Sequence, residues 1–206
     1  MGAFTEPVVI VSTLALLFAS GGLALFGPFY ARLSLVLASV TGAVLTLDGV
    51  ALASGREVAI HVGGLLGMLS VDLRYDPLSG LFLIALGLVA TAASLYAASH
   101  HGSIRSGGDG LAYAVFLGSL AALFGSDTGF TFLLAWEAMA LSSAALVFGP
   151  RPGRSTARAG YIYLALTHLA SAALVAAFAI LGGAEGRLDF ASMHTAAQVL
   201  DPAGRD

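Results

Sequence analysis

Apolar residues along the chain fall into six long runs separated by shorter polar connections. The runs cover residues 7–26, 31–53, 77–99, 110–124, 129–148 and 159–181, and the fourth is the shortest. A helix needs about 20 apolar residues to cross the hydrocarbon layer of a bilayer, where a non-helical backbone would find no hydrogen-bond partners. The pattern therefore predicts an all-α integral membrane protein with about six transmembrane helices, forming a single membrane domain over 1–206.

Two segments outside these runs have a different pattern. In residues 54–76, polar and apolar positions alternate over 57–62 and again over 68–75, with two glycines, 63 and 64, after the first stretch. A period of two is typical of a strand with one solvated face. We therefore expect a short extramembrane β-hairpin at 54–76, between the second and third helices, and a loop or amphipathic tail at 182–206.

Capping residues mark two of the helix starts. Asp76 precedes Pro77, and this order is typical of an N-cap followed by the first helical residue. Ser126 or Asp127 is the predicted N-cap of the fifth helix.

The composition agrees with a membrane protein and excludes several other classes. The chain is 58% hydrophobic and 10% charged, against about 25% charged residues in a typical soluble domain. It has no cysteine and a net charge of −3, which excludes disulfides and thiolate metal sites and gives no basic surface for nucleic acid. Motifs for nucleotide, flavin, iron–sulfur or zinc binding are missing from the sequence, so we expect no cofactor and no metal.

Arginine supplies all nine basic residues, and its distribution between the connections predicts the topology. The connections after the first, third and fifth helices carry Arg32, Arg105, Arg151, Arg154 and Arg158. The opposite connections are longer and more acidic, and carry Arg56, Arg74, Arg187 and Arg205. By the positive-inside rule the first set is cytoplasmic, so we expect a multi-pass protein of a prokaryotic inner (plasma) membrane with its N-terminus outside. The cluster at 151–158 is alternatively a patch that binds a partner.

Glu137 is a carboxylate near the middle of the fifth apolar run. An ionisable side chain at the centre of a bilayer costs at least about 2.5 kcal/mol, so such residues face a partner or a water-filled path. We therefore interpret Glu137 as a proton-relay residue that faces the interior of the last three helices. The alternative is a polar residue that is tolerated because it bonds to a neighbouring helix.

Other polar residues within the runs are weighed in the same way. His168 lies near the middle of the sixth run, and its imidazole can both donate and accept a proton near neutral pH. It is a second proton-relay candidate, or alternatively an interhelical hydrogen-bonding group. Asp48 lies about one turn from the end of the second run, and we expect a structural role for it. Ser142 and Ser143 are expected to let helices pack closely.

Three segments carry a family resemblance: VDLRYDPLSGLFLIALGLVATAASLYAASH (71–100), FTFLLAWEAMALSSAALV (130–147) and AGYIYLALTHLASAALVAAFAIL (159–181). They resemble the N-terminal part of the proton-conducting antiporter-like membrane subunits. This family occurs in NADH:quinone oxidoreductase (respiratory complex I), in multisubunit Mrp antiporters and in group 4 hydrogenases. The words FLLAWE and LSS, with TH in the sixth run, are most similar to the branch of hydrogenase 4 component B and the formate hydrogenlyase membrane subunit.

The resemblance predicts a function that could not be inferred from the residues alone. It implies a membrane subunit of a redox-driven proton-translocating complex, with redox chemistry in partner subunits. Glu137 would be one half of a charge pair whose lysine lies on a later helix, outside this chain, which would form about the first third of the subunit. The alternatives are an Mrp-type cation/proton antiporter subunit and a nonfunctional truncated membrane fragment; the translocated ion is a proton or sodium.

Overall fold

A computed structural model describes residues 6–65, 69–100, 107–149, 153–182 and 188–200. Its elements, in chain order, are α1 (Glu6–Leu23), α2 (Pro28–Ala53), β1 (Val58–Leu65), β2 (Leu69–Tyr75), α3 (Pro77–Ser99), α4 (Gly107–Phe124), α5 (Gly129–Phe148), α6 (Arg154–Gly182) and α7 (Phe190–Leu200). Six of these helices, α1 to α6, are long and apolar enough to cross a membrane. The predicted all-α membrane fold with a hairpin between the second and third helices is confirmed.

Helix starts differ from the predictions in a consistent way. α4 and α6 begin at Gly107 and Arg154, a few residues before their apolar runs. Apolar runs mark only the part of a helix that lies in hydrocarbon, and the helical turns beyond it need no apolar side chains. The predicted Asp76 cap is confirmed, because its carboxylate accepts a hydrogen bond from the backbone N–H of Ser79 at 2.7 Å.

The N-cap of α5 was predicted wrongly. It is Thr128, whose hydroxyl oxygen accepts a hydrogen bond from the backbone N–H of Thr131 at 3.2 Å. Ser126 pairs instead with Leu73 of β2 in an isolated bridge. The prediction failed because this pairing places residues 126 and 127 in an extended connection and moves the helix start to the next hydroxyl residue.

β1 and β2 pair antiparallel from Val58 with Tyr75 to Leu65 with Leu69. Between Val62 and Leu65 the register shifts, so that β1 has one more residue than β2 over the same interval. This irregularity falls on the two glycines at 63 and 64, which are therefore part of the strand, as expected at a β-bulge. Residues 66–68 of the predicted hairpin lie outside the described residues.

The hairpin is attached to the helical bundle by backbone hydrogen bonds. The N–H of Arg74 donates to the carbonyl of Gly125 at 2.6 Å, and the N–H of Asp127 donates to the carbonyl of Asp72 at 3.0 Å. Tyr75, at the end of β2, is fully buried, and its hydroxyl donates to the carbonyl of Ala121 on α4 at 3.1 Å. Burial raises the pKa of Tyr75 above its ordinary value, so the hydroxyl stays neutral and available as a donor.

The closest helix packing in the bundle joins α2 to α3. A β-carbon placed on Gly49 would lie 2.6 Å from the carbonyl oxygen of Gly80 and 2.7 Å from the backbone N of Ile84. Further along the same contact, the hydroxyl of Ser39 donates to the carbonyl of Thr91 at 3.2 Å, and the hydroxyl of Thr91 lies 3.3 Å from the carbonyl of Ser39. Small residues that let backbones approach, with hydroxyl bonds across the contact, are typical of association between membrane helices.

α6 lies at the edge of the bundle and packs mainly on α5. Only Gly160 and Ser171 of this helix are buried. Its exposed large apolar side chains are Tyr161, Ile162, Leu166, Leu169, Val175 and Ile180. α6 therefore offers most of its surface to lipid or to other membrane helices.

Substituting Gly49 tests the close contact between α2 and α3. We expect Gly49→Ala to lower the stability of the bundle by about 1–3 kcal/mol, because the new methyl group forces the two backbones apart. Gly22→Ala in α1 is the matched control, because a β-carbon there meets nothing within 4 Å. Reversible unfolding in mixed detergent micelles, followed by circular dichroism, measures the difference; equal stability of both variants would contradict the packing described here.

Candidate functional site

The two proton-relay candidates from the sequence lie opposite each other on α5 and α6. Oε2 of Glu137 is 3.9 Å from Nε2 of His168. The side chain of Glu137 is 35% exposed and that of His168 is 55% exposed, so the pair lies at the open edge of the α5–α6 contact. In spanning helices such a pair can share a proton where few other polar groups compete for it.

A second contact of His168 assigns its neutral tautomer. Nδ1 lies 2.9 Å from the carbonyl oxygen of Leu164, one turn earlier on α6. A carbonyl only accepts, so Nδ1 carries a hydrogen and donates it. In the neutral ring the lone pair of Nε2 therefore faces the carboxyl group of Glu137, and in the protonated ring an N–H⁺ faces it. At 3.9 Å a proton crosses only through a bridging water or after a small approach of the side chains.

Ser143 and Tyr163 link α5 and α6 directly. Their hydroxyl oxygens are 2.5 Å apart. Ser142, by contrast, is buried and donates to Ala138 of its own helix at 2.6 Å, which agrees with the predicted packing role. The link through Ser143 was not predicted from the sequence. Neighbouring antiparallel helices run in opposite directions. If Glu137 faces His168, Ser143, six residues later on α5, therefore faces the region of Tyr163, five residues earlier on α6. This register is the signal from which the hydrogen bond could have been predicted.

Trp136 lies beside Glu137 and packs in an aromatic cluster. Its ring stacks on Phe132 with centroids 6.0 Å apart, and Phe132 in turn contacts Phe178 of α6 edge-on at 5.8 Å. The indole Nε1 is buried and has no hydrogen-bond partner among the described residues. Buried indole N–H groups usually have a partner, so within the described part of the chain this atom is an unsatisfied donor, one position from the candidate Glu137.

The hairpin is hydrogen-bonded to the first turn of the helix that carries Glu137. The backbone N–H of Asp72 donates to the hydroxyl of Thr131 at 3.0 Å, and that hydroxyl also bonds to Thr128 at 2.9 Å. The carboxylate of Asp72 accepts a hydrogen bond from Ser70 at 2.6 Å and contacts the ring of His61. The bond from Ser70 is the main cause of a lowered pKa of Asp72, and His61 adds to it. This carboxylate is therefore charged at neutral pH.

The structure describes five of the nine arginines on which the topology prediction rests. Arg32 lies in α2 close to its start and Arg154 begins α6, whereas Arg56 and Arg74 belong to the segment that contains the hairpin. The remaining arginines of that prediction, except Arg158 on α6, lie outside the described residues; they are Arg105, Arg151, Arg187 and Arg205. Orientation in the membrane stays a prediction. Within the described ranges, no group of three or more metal-ligating side chains comes together.

Comparisons with known proteins agree with one another. A family model described as NADH:quinone oxidoreductase/Mrp antiporter, transmembrane, matches residues 126–204, which include both proton-relay candidates. Hydrogenase-4 component B of Escherichia coli (strain K12) is 32% identical over 128 residues, which are 61% of this chain and 19% of that protein. Formate hydrogenlyase subunit 3 of the same organism is 30% identical over 202 residues, which are 96% of this chain and 31% of that protein. The chain thus spans less than a third of either relative.

Solved structures show the same fold. A chain of the membrane-bound sulfane sulfur reductase, an archaeal respiratory membrane complex, matches with a TM-score of 0.70 and 17% identity, over 96% of this chain and 41% of that one. A chain of the Mrp complex from Dietzia sp. DQ12-45-1b matches with a TM-score of 0.69 and 19% identity, over 89% of this chain and 20% of that one. At these identities the likeness concerns the fold alone.

The hydrogen bond between Ser143 and Tyr163 can be tested by removing one hydroxyl. We expect Tyr163→Phe to weaken the α5–α6 contact by about 0.6 kcal/mol, the average for hydrogen bonds between membrane helices. Tyr161→Phe is the control, because Tyr161 is 69% exposed. A double-mutant cycle with Ser143→Ala, measured by unfolding in mixed micelles, isolates the pair; a coupling energy of zero would show that the bond does not hold the helices together.

Proposed function

We propose that this chain, which belongs to the family of antiporter-like membrane subunits of complex I, Mrp antiporters and group 4 hydrogenases, carries a proton site of such a subunit at Glu137. The family predicted from the residues is confirmed by the match over 126–204 and by the two hydrogenase relatives. His168 is the partner that exchanges a proton with Glu137. The site lies within the part of the chain that the family match covers.

The observation that carries this proposal is the 3.9 Å separation between Glu137 and His168. A purely structural role requires a hydrogen bond that holds two helices together, and 3.9 Å is longer than such a bond. Ser143 and Tyr163 supply that link at 2.5 Å instead. The carboxyl and imidazole groups are therefore close enough to exchange a proton through water, and the helix contact does not depend on them.

The exposed face of His168 indicates that another element contacts the Glu137–His168 pair in the complete subunit. His168 is more than half exposed, on a helix that is buried only at Gly160 and Ser171. A titratable ring in contact with lipid is costly, so in the working subunit this face meets other helices or a water-filled path. The family resemblance assigns to that place a lysine on a later helix. Its positive charge would favour the ionised form of Glu137, and this effect would end when the lysine changed position or charge.

We further propose that the subunit works in a redox-driven proton-translocating complex. Its relatives are named hydrogenase-4 component B and formate hydrogenlyase subunit 3. Other membrane subunits would be its partners, and redox chemistry would occur in those partners. The location would be the inner membrane, with the N-terminus and the hairpin outside, as the arginine distribution predicts. A cation/proton antiporter subunit is the alternative, for which the Mrp likeness in fold gives no separate support.

Replacing Glu137 tests the proton site. In the full-length subunit within its complex, we expect Glu137→Gln to reduce proton translocation at least about tenfold while assembly is retained. Glutamine keeps the shape and most of the hydrogen bonding but cannot take up or release a proton. Reconstituted vesicles with a pH-sensitive dye measure the flux. Glu57→Gln, in the exposed segment before β1, is the matched control, and wild-type flux in the Glu137 variant would leave Glu137 with a packing role only.

His168→Ala should give a smaller defect than Glu137→Gln in the same assay. Water can occupy the space of the ring and take over its part in moving the proton to and from the carboxyl group. A loss of flux as complete as that of the Glu137 variant would show instead that the imidazole is an obligatory carrier of the proton.

A further inference from the structure

A cavity of about 250 Å³ lies between α1, α2 and β1. None of these elements carries Glu137 or His168. Asp48 and Arg56 line it, and its other lining residues are Val9, Ile10, Ala51, Leu52 and Val58. A cavity of this size holds several water molecules when polar groups are present to bind them. The cavity therefore connects a carboxyl group on a spanning helix with the hairpin side of the bundle, where Arg56 is exposed.

Asp48 lies inside the apolar span of α2. It precedes the last residue of the helix, Ala53, by five residues, which corresponds to about 7.5 Å of helix rise. Its side chain is neither fully buried nor exposed. A carboxyl group at this depth needs a polar partner or water, because lipid satisfies neither of its protonation states.

The partner of Asp48 is a hydroxyl that can serve both protonation states. Oγ1 of Thr13 on α1 lies 3.3 Å from Oδ2 of Asp48 and 2.8 Å from the carbonyl oxygen of Val9. A hydroxyl has one hydrogen and two lone pairs. When Asp48 is ionised, the Thr13 hydroxyl donates to it. When Asp48 is protonated, its O–H donates to Thr13, whose hydrogen turns to the Val9 carbonyl. No heavy atom has to move between the two arrangements.

We propose that Asp48 is a second proton-binding site, reached by water from the hairpin side of the membrane and separate from Glu137. Water in the cavity delivers the proton to the carboxyl group, and the rotating hydroxyl of Thr13 stabilises each form in turn. Among the residues that line the cavity, Arg56 is the other charged group, while α1 and β1 contribute apolar side chains. Glu137 and His168 lie on α5 and α6, and neither lines this cavity. The proposal therefore does not rest on the function assigned to that pair.

The test uses the full-length subunit in proteoliposomes. A water-soluble carbodiimide with an amine nucleophile is added on the hairpin side, and modification of Asp48 is quantified by mass spectrometry as a function of pH. Carbodiimides react with the protonated carboxyl group, so we expect the rate to fall about tenfold per pH unit above a midpoint. The unmodified side chain is itself the probe, so the measurement does not depend on whether an Asp48 variant folds.

Two variants separate a proton site from a merely accessible carboxyl group. Thr13→Val removes the rotating hydroxyl, and we expect it to shift the midpoint by about half a pH unit or more. Thr41→Val is the matched control, because the buried hydroxyl of Thr41 bonds to Leu37 of its own helix at 2.8 Å and its hydrogen bond involves no carboxyl group. The midpoint should be unchanged in Thr41→Val and in Glu137→Gln. Absence of modification from the hairpin side, a rate that does not depend on pH, or equal midpoints in the two threonine variants would each overturn the proposal.

Discussion

The hydrocarbon layer offers no hydrogen-bond partner, and the arrangement of polar groups in this protein follows from that constraint. Backbone groups are satisfied within helices. Hydroxyl side chains in the spans donate to carbonyls one turn earlier on the same helix, as Ser20, Thr41 and Ser171 do. Such hydroxyls are satisfied without a neighbour, so they leave the helices free to pack by shape, and at Gly49 and Gly80 the backbones come into direct contact.

The same constraint separates the polar groups that join helices from those that can carry protons. The Ser143–Tyr163 bond is short, and it connects α5 to α6 through two hydroxyls without a carboxyl or imidazole group. Glu137 and His168 lie six and five residues from this bond along their helices, and their separation of 3.9 Å is too long to tie the helices. Since the structural link is made elsewhere, a change of protonation at the pair need not break the contact between α5 and α6. A proton site in a membrane benefits from this separation, because the site can change charge while the bundle stays assembled.

Periodicity along the chain was enough to predict the spans, the hairpin and the relay candidates, because each depends on local patterns of apolar and polar residues. The α5 cap, the bulge at the two glycines of β1 and the Ser143–Tyr163 bond were not predicted, because each depends on which segment lies beside which. Ser126 is a capping residue by type, yet its pairing with Leu73 takes it out of the cap. Likewise, Asp48 looks structural from its place near the end of α2, and only the position of Thr13 on α1 shows that both of its protonation states have a partner.

Asp48 and Glu137 differ in the kind of partner that each has. Glu137 faces an imidazole, a ring that can itself gain or lose a proton, so the proton affinity of the carboxyl group depends on the charge of the ring and on whatever covers the open edge of α6. Asp48 faces a hydroxyl that never ionises in the physiological range, so its proton affinity depends on its cavity and on Arg56. A group of the first kind responds to charges that move elsewhere in an assembly. A group of the second kind responds mainly to the pH of the water that reaches it, and the hairpin side of the bundle is where that water enters.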